Sequence, residues 1–244
     1  MVRLLFCISY NGSAYHGWQV QQNAITVQEV VQDSIEKVVG SRTDIVACSR
    51  TDAKVHANKF YFHMDIDVNI PKENLRRAIS TFLPFDIEVI SIVEVSPSFH
   101  ARYSAKSKEY LYKIHNSKIR NPFLKDLAWH YDRKLNIDKI KLAAKEFIGE
   151  HDFTSFCSSK SSVVKKTRNI YNIELSQDRE MVIFKFIGNG FLHNMVRILV
   201  GTLIGVSEGL IDIDDIKNII IAKDRSLAGK TAPAKGLYLN DVKY

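Results

Sequence analysis

Cysteine is scarce in this chain. There are three, Cys7, Cys48 and Cys157, an odd number at long spacings with no Cys-x-x-Cys pair. Neither a disulfide framework nor a cysteine zinc site is expected, and buried or idle thiols in a reducing cytoplasm are the reading that follows. No run of 18 apolar residues occurs, so no membrane span is expected. The opening Met1-Val2-Arg3-Leu4-Leu5-Phe6 lacks a long apolar region and a small-residue cleavage site, and is read as a first strand rather than a signal peptide. A GxSxG nucleophile motif is missing, and Gly188-Asn189-Gly190 lacks both the GxGxxG frame and a preceding βαβ unit. His151-Asp152 has no third ligand at metal spacing, so no metal site is expected.

What is present is ordinary in bulk and uneven in detail. The chain has 244 residues, 45% hydrophobic and 25% charged, enough for one large domain or two small ones. Its net charge of +7, from 34 basic and 27 acidic residues, tilts toward a polyanionic partner. Lys160, Lys165, Lys166 and Arg168 share one Ser-rich stretch, while Arg102, Lys106 and Lys108 interleave with Tyr103 and Tyr110. Charge for phosphates beside rings for bases is the mixture RNA binding uses, although a solvated basic face would look the same.

Periodicity sets out the elements. Residues 3–10 read as a strand. Thr26 opens a helix with Glu29 three residues on; Val27, Val30, Val31, Ile35 and Val38 share its face and Gly40 ends it. Residues 44–48 and 58–66 read as strands, the second alternating Phe60, Phe62 and Met64 against Tyr61, His63 and Asp65. Pro71 starts a helix with Leu75, Ala78, Ile79 and Phe82 at core spacing, and in 87–95 the residues Ile87, Val89, Ser91, Val93 and Val95 alternate as a strand. The order is βαββαβ, the ferredoxin-like arrangement. A second round follows: a strand at 108–116, a helix at 137–148, a hairpin of 168–176 with 181–187, helices at 191–207 and 213–222, and a short strand at 236–239. The two rounds join near residues 97–107, share a pattern without a sequence repeat, and leave long loops at 11–25, 117–128 and 150–166 that often carry function.

Three places carry candidate chemistry. Asp52 follows a short apolar strand between Arg50 and Lys54, two cations that favour the ionised form a carboxylate nucleophile needs, with Thr51 and His56 placed to orient it. Arg197 lies in an apolar helix and requires an anion; Asp52 is the candidate, and an ordinary structural ion pair is the alternative. His193, Asn194, Gly201 and Gly205 share its face, where small residues let another segment approach. Tyr110 and Tyr112, with Lys108, share a strand face and serve either as core or as a stacking surface for a flipped pyrimidine.

Ser49-Arg50-Thr51-Asp52-Ala53-Lys54-Val55-His56-Ala57 resembles the Gly-Arg-Thr-Asp-x-Gly-Val-His-Ala signature of the TruA family of tRNA pseudouridine synthases. Tyr10-Asn11-Gly12-Ser13, Gly17-Trp18-Gln19, Thr26-Val27-Gln28, the segment from Phe99 to Ala105, Tyr110-Leu111-Tyr112, His151 to Phe156, Gly190 to Arg197 and Ala232 to Leu237 are similar to its other blocks, in the same order. The resemblance implies an isomerase that converts uridine to pseudouridine at positions 38, 39 and 40 of the tRNA anticodon arm. It implies Asp52 as nucleophile, Arg50 steadying the extruded nucleotide's place, Tyr110 packing on the flipped uracil, and Arg197 pairing with Asp52. It implies no metal, no organic cofactor, a cytoplasmic homodimer, and one tRNA spanning both subunits. The expected fold is α+β: two ferredoxin-like (RRM-like) halves, 1–104 and 105–244, forming a continuous, mainly antiparallel central sheet flanked by helices, with the active-site cleft between them.

Ser49 and Lys54 stand where the signature has glycine, and Lys108 where the family commonly has arginine. If position 54 requires a positive φ, lysine costs about 1 kcal/mol there, and a phosphate contact by Lys54 or an action on the charge of Asp52 is the hypothesis that accounts for it. The same chemistry on another RNA, such as ribosomal RNA, and a non-catalytic RNA-binding protein are the competing readings. Arg50, Asp52, Tyr110 and Arg197 together favour catalysis.

Overall fold

The computed structural model describes residues 1–67 and 69–244. Its elements are β1 (Val2–Tyr10), α1 (Val27–Val39), β2 (Val46–Ala47), β3 (His56–Ile66), α2 (Lys72–Phe82), β4 (Ile87–Val95), β5 (Ser107–Asn116), β6 (Trp129–Tyr131), α3 (Ile137–Lys145), β7 (Gly149–Asp152), β8 (Thr167–Asp178), β9 (Met181–Gly188), α4 (Met195–Ser207), α5 (Asp215–Ala222) and β10 (Leu237–Lys243). The chain folds as two compact units: Met1–Lys106 with Tyr238–Tyr244, and Ser107–Leu237. Each is an α+β unit with a mixed, mainly antiparallel sheet flanked by helices. The last strand thus folds with the first unit, because β10 pairs in parallel with the start of β3, Tyr238 opposite His56 and Leu239 opposite Ala57.

In the first unit β1 lies between β3 and β4, antiparallel to both, and β2 is antiparallel to β3. Phe6, Ile8, Phe60 and Phe62 point inward, Phe6 stacking on Phe62 with ring centres 4.8 Å apart and Trp18 on Phe60 at 4.1 Å. The α1 helix starts where Thr26 accepts the Glu29 N–H on its side chain, buries Val27, Val31 and Ile35, and ends at Gly40 with φ of 80°. Val30 and Val38, expected on the same face, are half-buried. In α2, Leu75 and Ile79 are fully buried, worth about 1.5–3 kcal/mol each.

Three expectations are corrected here. Val93 does not continue the inward row of β4: it is exposed and Ile92 is buried. A bulge where Cys7 faces Ser91 and Ile8 faces Val89 inserts Ile90, which moves every later side chain to the other face. The strand expected at 44–48 shrinks to Val46–Ala47. Phe82 is half-exposed at the end of α2, with the Lys37 ammonium 5.7 Å from its ring centre.

In the second unit β5 pairs in parallel with β6 and antiparallel with β9, which continues through β8 to β7. Tyr110, Tyr112 and Ile114 all face inward from β5, as the alternation requires. The hairpin of β8 and β9 turns at Arg179-Glu180, with Arg179 at φ of 51°. Phe147, Phe153 and Phe156 are fully buried around α3 and the segment after it, and Ser155 donates to the Ile219 carbonyl of α5 at 2.5 Å. The helix expected from 191 begins only at Met195, because Asn194 adopts a left-handed φ of 61° that a helix cannot contain. The loop expected at 150–166 is shorter, since β7 adds an edge strand to β8. Among the described residues no helix is long and apolar enough to cross a membrane.

Candidate active site

Asp52 begins the turn Asp52-Ala53-Lys54-Val55, closed by the Val55 N–H donating to the Asp52 carbonyl at 3.1 Å. Lys54, third in the turn, has φ of 66°, and Ala53 is not among the residues with positive φ. A turn with one left-handed residue at its third position is a type II turn, which glycine fills at no steric cost and lysine does not. Asp52 is half-buried; Arg50 and Lys54 are exposed. Among the described residues the Arg50 and Lys54 side chains make no hydrogen bond or ion pair.

The loop is rigid because another loop is laid along it, backbone to backbone. The Tyr10 and Thr51 hydroxyls meet at 2.8 Å, Trp18 donates its N–H to the Thr51 carbonyl at 3.1 Å, and Lys54 donates its own to the Tyr15 carbonyl at 3.1 Å. Two glycines permit the approach. A Cβ on Gly12 would sit 2.0 Å from the Val55 carbonyl oxygen, and one on Gly17, already at φ of 92°, 2.6 Å from that of Thr51. The second loop is tied down in turn by Asp86, which accepts the Tyr15 hydroxyl at 2.6 Å on its carboxylate and the Asn11 N–H at 2.8 Å on its carbonyl. Burial, together with Asp86, pushes the Tyr15 phenol above its usual range.

His56 is 1% exposed, stacked on Tyr238 with ring centres 4.5 Å apart. Its Nδ1 accepts the Gly12 N–H at 3.1 Å, which places the proton of the neutral ring on Nε2. Burial pushes the Tyr238 phenol up to about 12. His56 and Thr51 therefore position the Asp52 loop through its backbone supports.

In the second unit Tyr110 is 7% exposed and meets Phe191 edge-on with ring centres 5.1 Å apart. Tyr112 is fully buried and donates its hydroxyl to the Pro233 carbonyl at 2.7 Å. Burial raises the Tyr112 phenol, and Arg197 opposes the shift. Lys108 is half-buried opposite Gly188. Arg197 is half-buried; its Nε donates to the Ala232 carbonyl and its Nη1 to the Asn194 side chain, both at 2.7 Å, and its own carbonyl accepts the Ala232 N–H at 3.1 Å.

The small residues of α4 do admit a close segment. A Cβ on Gly201 would lie 1.7 Å from the Lys230 carbonyl oxygen, and Gly229 donates to the Thr202 hydroxyl at 2.9 Å. Residues 232–236 thus hold both Arg197, through Ala232, and Tyr112, through Pro233. Sequence reasoning placed Asn194 on the face of Arg197, and gave no role to Tyr15, Asp86 or Pro233. For Tyr15 and Pro233 the signal was the glycines of their own loops, which mark close backbone approach without saying to what; the loop of Asp86 has none. Among the described residues no group of three His, Cys, Asp or Glu side chains gathers that could hold a metal ion.

The family described as tRNA pseudouridine synthase matches residues 143–244. The chain is 44% identical over 247 residues to "tRNA pseudouridine synthase A" of Listeria monocytogenes serotype 4a, covering all of both chains. The chain belongs to the tRNA pseudouridine synthase A family. It is therefore an isomerase of the pseudouridine synthase kind. Proteins of the same name in Thermoanaerobacter sp. and Ruminiclostridium cellulolyticum are each 43% identical, again over all of both chains.

Proposed function

We propose that the chain converts uridine to pseudouridine in the anticodon arm of tRNA, at positions 38, 39 and 40, with Asp52 as nucleophile. The observation that carries this reading is the half-buried Asp52 carboxylate on a braced turn, flanked by Arg50 and Lys54, exposed cations whose side chains have no hydrogen bond or ion pair among the described residues. Cations left unpaired in the protein are suited to phosphates, and a carboxylate among them suits an attack on a carbon of the nucleotide.

The steps follow from these groups. The Asp52 carboxylate adds to a carbon of the uracil or of its ribose. The bond between the base nitrogen and the ribose carbon breaks, the base turns, and a ring carbon bonds to the ribose in its place; the bond to Asp52 breaks and frees the carboxylate, the ring carbon gives up its proton, and the freed base nitrogen takes one up. Arg50 steadies the helix where the nucleotide was extruded, Tyr110 packs on the flipped uracil, and Arg197 pairs with the Asp52 carboxylate. Lys54 contacts a backbone phosphate. The proposal requires Tyr110 and Arg197 to reach the nucleotide that Asp52 attacks. No group beyond the chain's own side chains enters these steps. The enzyme acts in the cytoplasm as a homodimer, one tRNA spanning both subunits.

The test is a pseudouridine map of RNA from cells lacking this protein. Loss confined to positions 38–40 of tRNAs is expected; intact modification there, with loss in ribosomal RNA, would make the chain a retargeted relative.

A further inference from the structure

Tyr103 is 76% exposed, yet it does not hang loose. Its ring lies against His100, with centres 4.3 Å apart and planes 35° from parallel, and the Arg102 guanidinium stands 5.7 Å from its ring centre. Beyond that ring, the Arg102 side chain makes no hydrogen bond or ion pair among the described residues, and Lys106 close by is exposed.

The support beneath is built in layers. His100 Nδ1 accepts the backbone N–H groups of Arg102 at 3.1 Å and Tyr103 at 3.3 Å, so the imidazole is locked under the tyrosine. Behind it, His63 is buried, touches the His100 ring edge-on with centres 5.1 Å apart, and accepts the Ala101 N–H at 3.1 Å. The Ala101 carbonyl accepts the Tyr244 hydroxyl at 2.9 Å. Arg3 donates to the Pro97 and Phe99 carbonyls at 2.6 and 2.8 Å and holds Asp65 with two further bonds, so the Asp65 carboxylate is already paired. A large aromatic is kept in water on a rigid mount, with cations beside it.

We propose that Tyr103 is a stacking platform for an unpaired base of the substrate RNA, with Arg102 and Lys106 taking the flanking phosphates. Every base has a face that stacks on an aromatic ring, a fixed ring loses little freedom on binding, and a phenol hydroxyl tolerates the wet edge of such a contact. The positive surroundings favour RNA over a second copy of this chain, whose own net charge is +7. This rests on the reading that the substrate is tRNA.

The experiment compares the wild-type enzyme with Tyr103→Ala, Tyr103→Phe and Arg102→Ala, using anticodon-arm RNA carrying 2-aminopurine at single loop positions. Fluorescence anisotropy gives Kd, 2-aminopurine quenching reports stacking, single-turnover assays give the rate at saturating RNA, and sedimentation gives subunit number. Tyr103→Ala is expected to weaken binding by about 5- to 150-fold and to abolish quenching at one loop position, with the saturating rate unchanged. Tyr103→Phe is expected to retain both affinity and quenching. Arg102→Ala is expected to lower the salt dependence by about one unit. An active wild type whose affinity and quenching survive Tyr103→Ala overturns the platform alone. A change in subunit number with Tyr103→Ala overturns it too, since the ring would then face another copy. A wild type inactive on this RNA overturns the substrate reading instead.

Discussion

Replacing Lys54 by glycine separates two effects of opposite sign. Lys54 sits at φ of 66° in the turn that follows Asp52, where a residue with a Cβ costs about 1–2 kcal/mol. Glycine removes that strain and adds about 0.5–1 kcal/mol of conformational entropy to the unfolded chain. The exposed ammonium makes no bond to the rest of the protein among the described residues, so nothing else is lost on folding. The net is a stabilisation of about 0.5–1 kcal/mol, which for a chain of 244 residues raises Tm by about 1–4 °C. RNA binding moves the other way: losing one phosphate contact lowers the slope of log Kd against log salt by about 0.7–0.9. Scanning calorimetry and filter binding over a series of KCl concentrations read the two effects. A fall in Tm refutes the strained-turn argument, and an unchanged rate, affinity and salt slope refutes the phosphate role of Lys54.

Three further outcomes follow from the supports of the site. Gly17→Ala places a Cβ 2.6 Å from the Thr51 oxygen at φ of 92°, so it should destabilise the protein by about 2 kcal/mol or more and lower the rate at saturating RNA; a wild-type urea midpoint contradicts the backbone-to-backbone brace. Tyr112→Phe removes the bond to the Pro233 carbonyl and should lose about 1 kcal/mol by chemical denaturation, with RNA affinity unchanged. Thr26→Ala removes the cap of α1 and should lose about 1 kcal/mol while leaving catalysis untouched, as a denaturation curve beside a rate measurement will show.

Long periodic elements were legible in the sequence, and interruptions were not. The cap at Thr26, the stop at Gly40 and the inward row Tyr110, Tyr112 and Ile114 follow from residue type and period, and the structure has them. The β4 bulge was invisible because Val93 and Ile92 are equally apolar, and only pairing with β1 decides which faces inward. The start of α4 was misplaced because Phe191 and Leu192 carry the apolar run back beyond Asn194, whose left-handed backbone leaves no mark in an apolar pattern. The short strands β6 and β7 are too brief to show alternation and exist because β5 and β8 offer them edges. At the site, Asp52 stood out as a carboxylate between two cations and Arg197 as a charge in an apolar helix, and the glycines of α4 announced the close segment that Lys230 now supplies. The brace of Tyr15 and Asp86 was hidden, because a hydrogen bond between residues 71 apart leaves no local pattern.

The central claim is that the Asp52 carboxylate is the nucleophile, and Asp52→Asn tests it most directly. The substitution keeps the size of the side chain and removes its charge, so the braced turn should persist and anticodon-arm RNA should bind with a Kd close to that of the wild type. Pseudouridine formation in that bound RNA, followed by mass spectrometry of its nucleosides, should then be undetectable. Pseudouridine appearing at the wild-type rate would contradict the account.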